Sequence, residues 1–194
     1  MKHPMNFEIL SLSASAISVS RSCIPALEQS LKGLGHSSRV TDIRDLPPVW
    51  SSDIKVPNLP DQFTELFQRV KRADGVIFCL PIYCYTASGG AKTISEILGG
   101  QGGALTRKPV GFLVASGTIR SHLAVRDLMS SMAFEQFSYC YPRHIGVQDE
   151  DLSSEGVPTS DLLKRVDEVS KEFTRFCSTI GSMHADDKET ELQK

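Results

Sequence analysis

A chain of 194 residues has room for one domain with a substantial core. Its composition, 40% hydrophobic and 23% charged, is that of an ordinary globular protein, and a net charge of -2 argues against a general nucleic-acid binder while leaving room for a local anion site. The five cysteines (Cys23, Cys79, Cys84, Cys140 and Cys177) are odd in number and form no CxxC pair, so neither a disulfide framework nor a zinc site is expected. The first residues do not read as a secretory leader, and no run approaches the roughly 20 apolar residues of a membrane helix. The expectation is therefore a cytoplasmic protein without a membrane or nucleic-acid partner.

The pattern along the chain alternates strand and helix. Phe7 to Ser15 is a short apolar stretch that runs into small polar residues, as a buried strand entering a loop does. Ser20 to Leu34 has helical spacing (Ile24, Leu27, Leu31, Leu34), with Pro25 in its first turn and Gly35 as its stop. His36 to Ile43 reads as a second strand. Arg44 to Pro60 carries Pro47, Pro48, Pro57 and Pro60 and reads as a long loop. Asp61 to Arg72 is an amphipathic helix.

Gly75 to Leu80 is a continuous apolar run, the mark of a central parallel strand covered on both faces, and Pro81 is expected to end it. Gly89 to Leu98 reads as helix, followed by a glycine-rich turn over 99–103. Pro109 to Ser116 is another buried strand, Arg120 to Met132 a helix, Phe137 to Val147 the last strand, and Leu162 to Phe176 a closing helix. One domain is expected over residues 1–180. The polar segment 181–194 is expected to be a disordered tail. Five strands alternating with helices predict an α/β fold with a parallel sheet covered on both faces. In such sheets ligands bind beyond the carboxyl ends of the strands, which directs attention to the loops after strands one, three and four.

The first of these loops holds Ser13, Ser15, Ser18, Ser20 and Ser22 with Arg21, just before a helix. Free N–H groups at a helix start, hydroxyls from Ser15, Ser20 and Ser22, and the Arg21 cation suit a phosphate. The same residues also suit an ordinary N-cap with a solvated arginine. Neither GxGxxG nor GxxxxGK[ST] is present, so a dinucleotide or P-loop site is not expected here.

The second loop, Pro81-Ile82-Tyr83-Cys84-Tyr85-Thr86, leaves the most buried strand and enters a helix through Gly89 and Gly90. Aromatic and small residues around backbone donors suit a flat, heteroatom-rich ring. The alternative is a strand end with half-buried tyrosines. Cys84 has no histidine nearby in sequence to activate it, and no catalytic acid or base is nominated. The third loop, Ser116-Gly117-Thr118 followed by Arg120 and His122, supplies small polar donors for the ring's polar edge. Arg120 is a hint of NADPH rather than NADH.

Together the three loops resemble the NADPH-dependent FMN reductase family of the flavodoxin-like superfamily, over about three quarters of the chain. Ala14-Ser15 and Ser20-Arg21-Ser22 match the family's first motif. Pro81-Ile82-Tyr83-Cys84-Tyr85-Thr86 with Gly89 and Lys92 matches the second. Ser116-Gly117-Thr118 with Ser121-His122-Leu123 matches the third, and Asp42 to Pro48 resembles the loop after the second strand. Ala14 in place of glycine, Thr86 in place of serine, and Ala87 where an aromatic residue is common are departures.

The resemblance implies a flavodoxin-like three-layer sandwich with a five-stranded parallel sheet of order 2-1-3-4-5. It implies FMN with its phosphate on Ser15, Ser20, Arg21 and Ser22. Its ring would lie against Pro81, Ile82, Tyr83, Cys84, Thr86, Ser116, Gly117 and Thr118. It further implies hydride from NADPH or NADH, a small-molecule acceptor such as free flavin, a quinone or an azo compound, and a homodimer or homotetramer. A flavodoxin-type electron carrier and a nonredox nucleotide-processing enzyme are the other readings. The latter wants a carboxylate nucleophile that none of the three loops contains.

Overall fold

The computed structural model describes residues 3–49, 60–99, 103–118 and 120–192, the last eight as backbone only. Strand β1 (Asn6–Ser11) leads through a loop into helices α1 (Val19–Ser22) and α2 (Ile24–Gly33), and then into β2 (Ser37–Asp42). Helix α3 (Asp61–Arg72), strand β3 (Gly75–Tyr83), the short strand β4 (Thr86–Ala87) and helix α4 (Gly89–Gly99) follow. After them come β5 (Pro109–Ala115), α5 (Val125–Glu135), β6 (Tyr139–Cys140), β7 (Ile145–Val147) and α6 (Ser160–Leu192).

The sheet runs β2-β1-β3-β5-β6. Strand β7 also pairs with β5, and β4 pairs antiparallel with β3. The expected three-layer α/β class and the order of the first four strands hold. The fifth position is filled by two short strands rather than one, with Tyr141, Pro142, Arg143 and His144 between β6 and β7.

Alternation along the strands builds two cores. Leu10, Val76, Phe78, Leu80, Val110, Phe112 and Val114 face α3, α4 and α5. Phe7, Ile9, Ile77, Cys79 and Leu113 face α1, α2 and α6. Both faces of β3 and β5 are buried, which is why these strands read as unbroken apolar runs. Each fully buried Leu, Ile or Phe side chain contributes about 1.5–3 kcal/mol.

Three elements depart from the sequence reading. Pro81 does not end its strand: β3 continues to Tyr83, and Pro81 pairs in register with Ala115. A residue two beyond Cys79 carries its N–H on the side that faces β1, and β1 ends opposite Cys79. The missing donor of Pro81 therefore falls where no neighbour needs one. The first helix is divided at Cys23, with Pro25 placed in the first turn of α2. Helix α6 continues through the segment expected as a disordered tail, to Leu192. That segment is polar, but Met183, Ala185, Lys188, Glu189, Glu191 and Leu192 are good helix formers and it holds no proline, which suits a helix. The central part of the proline-rich loop (50–59) and most of the glycine-rich turn (100–102) lie outside the described residues.

Candidate functional site

The carboxyl ends of β1, β3 and β5 lie side by side, and the three loops that leave them enclose one open cleft. The first loop lines it with Ser13, Ile17, Ser18 and Val19; the second with Pro81, Ile82 and Tyr83; the third with Ala115, Ser116 and Gly117; and Asp149, just past β7, closes the side.

In the first loop Ser18 caps α1 by accepting from the N–H of Arg21 at 3.3 Å, and its hydroxyl lies 3.1 Å from that of Ser20. Ser20 is buried, while Ser22 is exposed and donates back to the carbonyl of Ser18 at 3.2 Å. The N–H of Ser15 donates to the Ser13 hydroxyl. Arg21 does not reach outward. Its Nε donates to Asp42 at 2.8 Å, Nη1 to the carbonyls of Ser15 and Ala16 at 2.8 and 3.4 Å, and Nη2 to that of Ser13. The direct charge contact expected of Arg21 gives way to a role inside the loop. Among the described residues no acceptor faces the N–H of Ala16 or Ile17.

The second loop is a hairpin. Tyr83 pairs with Thr86, and the two residues between them, Cys84 and Tyr85, have φ of 50° and 58°. Positive φ at both central positions defines a type I′ turn, usually built from Asn-Gly. Tyr83 and Tyr85 stand exposed at the rim, and Cys84 and Thr86 are also exposed. The Ser88 hydroxyl then caps α4 and donates to the Leu12 carbonyl, so the first and second loops are joined. Gly90 is needed there: a Cβ on it would lie 2.6 Å from Ile43 Cδ1 and 3.4 Å from the Leu12 carbonyl oxygen.

In the third loop Ser116 is buried and donates to the Thr118 carbonyl at 3.0 Å, and the Thr118 hydroxyl lies 3.1 Å from that of Ser121. Nothing stands within 4 Å of where a Gly117 Cβ would be, so this backbone is open to a close ligand. Arg120 is exposed. His122 packs on Gly146 and His144.

Of the residues singled out in the sequence, Pro81, Ile82, Tyr83, Ser116 and Gly117 line the cleft. Ser15, Ser20, Arg21, Ser22, Cys84, Thr86 and Thr118 surround it without being among its lining residues. Ser13, Ile17, Ser18, Val19, Ala115 and Asp149 were not expected there. Position just before the predicted helix was the available signal for Ser18. Asp149 had none, because nothing local marks it.

The cleft has two chemical ends. One offers the Ser13 and Ser18 hydroxyls and the Ile17 N–H, which has no acceptor among the described residues. The other offers the apolar surfaces of Pro81, Ile82 and Ala115 with the Tyr83 ring. A phosphate at the first and a flat ring at the second suit this donor set, so the residues present fit FMN.

An open parallel sheet whose site is built by loops at its carboxyl edge defines the doubly wound α/β nucleotide- and flavin-binding class. The model of the NADPH-dependent FMN reductase family matches residues 5–148, and the chain belongs to that family. It is thereby an oxidoreductase with FMN as cofactor and a reduced nicotinamide nucleotide as co-substrate. The chain is 27% identical over 187 residues to the NADH:(hydroxy)cinnamate reductase subunit CrdA of Vibrio ruber, covering 92% of this chain and 90% of that protein. Its fold is similar to FerB, a flavoenzyme NAD(P)H:(acceptor) oxidoreductase from Paracoccus denitrificans (TM-score 0.74, 16% identity, 90% of this chain and 98% of that one). It is also similar to an NADH:FMN oxidoreductase, EMOB, in its apo form (TM-score 0.70, 20% identity, 87% and 88%). Among the described residues no helix is long and apolar enough to cross a membrane, and no cluster of side chains is suited to hold a metal.

Proposed function

We propose that one domain over residues 1–180 holds FMN in the cleft between residues 13–19, 81–86 and 115–118. Hydride would come from NADPH or NADH, and electrons would pass to a small acceptor such as free flavin, a quinone or an azo compound. The observation that carries this reading is the convergence of three loops on one cleft with a donor-rich end and an apolar end. Bound FMN supplies a ring that accepts hydride and releases electrons, while the protein supplies binding and orientation.

The residues then divide by task. Ser13 and Ser18, with the N–H groups of Ala16 and Ile17, hold the phosphate, and Arg21 shapes the loop that presents them. Pro81, Ile82 and Tyr83 support one side of the ring. Ser116 and Gly117 meet its polar edge, with Thr118 bracing their loop. Cys84 and Thr86 shape the turn beside Tyr83, and Ser15, Ser20 and Ser22 build the first loop rather than touch the ligand. A cytoplasmic homodimer or homotetramer completes the proposal. The relative's name, a (hydroxy)cinnamate reductase subunit, adds unsaturated aromatic acids to the acceptors worth trying.

The test is an absorbance spectrum of purified protein with added FMN, then NADPH or NADH under nitrogen. Bleaching of the flavin band is expected, followed by reoxidation with one of the acceptors. A colourless protein that fails to quench FMN fluorescence on titration would overturn the reading.

A further inference from the structure

The cation expected to meet the phosphate is turned into the protein. Its Nη1 and Nη2 take the carbonyls of Ser13, Ser15 and Ala16, three acceptors from one short loop. In a trans peptide the C=O and N–H point in opposite directions. Drawing the carbonyls of Ser15 and Ala16 to the guanidinium therefore turns the N–H groups of Ala16 and Ile17 away from it. Neither of these N–H groups has an acceptor among the described residues, and Ile17 and Ser18 line the cleft. Successive N–H groups presented in this way make an anion-binding nest.

Asp42 holds the arginine in place. It sits at the carboxyl end of β2, and its Oδ2 accepts from Arg21 Nε at 2.8 Å. On the other side it accepts from the Arg44 N–H at 3.0 Å and from Arg44 Nε and Nη2 at 3.0 and 2.8 Å. Ser11 reaches it as well, at 3.5 Å. The Asp42 side chain is 13% exposed, against 43% for Arg44. Burial alone would raise its pKa, but the hydrogen bonds from Arg44 and the charge of Arg21 outweigh that and hold it below the ordinary aspartate value. It is a fixed anion on which Arg21 is anchored.

We propose that Asp42 is a positioning residue for the flavin phosphate: it anchors Arg21, which gathers the loop carbonyls so that the Ala16 and Ile17 N–H groups face the phosphate. This rests on reading the first loop as the phosphate site. It makes phosphate selectivity a property of the ordered backbone, with Arg21 as its scaffold rather than its charge contact.

The test compares equilibrium binding of FMN and of riboflavin, which lacks the phosphate, by fluorescence quenching of the apoprotein. Wild-type protein is expected to prefer FMN by about a hundredfold, the scale of two hydrogen bonds to a charged group. Asp42→Asn removes the anchoring charge and should reduce that preference about tenfold or more through the FMN constant, with riboflavin affinity moving less than about threefold. Arg21→Lys keeps the cation but loses the fork that gathers three carbonyls, and should reduce the ratio likewise. Arg44→Ala, on the exposed side of Asp42, should keep the wild-type ratio. An Asp42→Asn or Arg21→Lys protein with the wild-type ratio overturns the proposal. So does an Arg44→Ala protein whose ratio falls as far, which would make the effect a general loosening of the strand end. Equal affinity of wild-type protein for FMN and riboflavin overturns instead the reading of the first loop as the phosphate site.

Discussion

The Ser88 hydroxyl donates to the Leu12 carbonyl at 3.1 Å and accepts from the N–H of Ala91 at 3.3 Å. One buried side chain thus caps α4 and ties the second loop to the end of β1. Without it, a carbonyl and a helix N–H lose their partners away from water. Loss of a cap costs about 1 kcal/mol, and a buried unsatisfied acceptor adds about 1–3 kcal/mol. Ser88→Ala is expected to lower the unfolding free energy by about 2–4 kcal/mol in urea titration. FMN affinity should fall with it, because the two loops that meet the cofactor are no longer joined. A loss below about 0.5 kcal/mol would show that water takes the hydroxyl's place.

The turn beside Tyr83 holds two residues that L-amino acids seldom place in the left-handed region, Cys84 at φ 50° and Tyr85 at φ 58°. Each costs about 1–2 kcal/mol relative to a residue at ease there. Asn-Gly is the pair that a type I′ turn favours. A Cys84→Asn, Tyr85→Gly double variant is therefore expected to raise the melting temperature by about 2–4 °C for each kcal/mol relieved. Scanning calorimetry would measure it. An unchanged or lower melting temperature would mean that contacts of the Tyr85 ring outweigh the backbone cost.

These two features mark where the sequence stops being legible. The run Gly75 to Leu80 announced a central strand because both faces of β3 are buried. The Phe63, Leu66 and Val70 spacing announced α3 because only one face is. Local pattern was sufficient in each case. The destination of the Arg21 side chain was not legible, since it depends on Asp42, 21 positions away and brought near only when β2 pairs with β1. Pro81 reads as a strand end because the rule against proline holds within a ladder, whereas β1 has ended by that point. Asp149 reaches the cleft through the position of β7 at the sheet edge, which no local signal encodes. The loops could be found from sequence, but which atoms of each loop face the ligand could not.

His144 lies edge-on to His122, ring centroids 4.9 Å apart at 90°. Burial, and then the charges of His122 and Arg126, push its pKa from 6.5 down to about 4. The folded chain therefore resists a proton that the unfolded chain takes up. The associated stability is full above about pH 6.5 and is lost as pH falls from there toward 4. The ring is partly open to water, so screening holds the effect at pH 5 to about 1 kcal/mol. Melting temperatures at pH 7.5 and pH 5 should show a drop in wild-type protein that is smaller in His144→Gln, whose side chain does not titrate. Equal drops would place the acid sensitivity elsewhere.

Glu8 is 3% exposed on β1. It accepts from Thr41 Oγ1 at 2.5 Å and from Arg69 Nε and Nη2 at 3.3 Å, while Arg69 Nη2 donates to Thr41 at 2.7 Å. Each polar group in this triangle is satisfied by the other two. Glu8→Ala would leave the Arg69 charge and the Thr41 hydroxyl without their acceptor, at a cost of about 3 kcal/mol, the low end for a broken buried pair because Arg69 keeps some access to water. Glu8→Leu combined with Arg69→Met removes both charges and fills the space with apolar atoms. That double variant should lie within about 1 kcal/mol of wild type in urea unfolding, since the desolvation of both ions offsets most of their attraction. A double variant as unstable as Glu8→Ala would instead make the triangle a net source of stability for the β1–β2 edge.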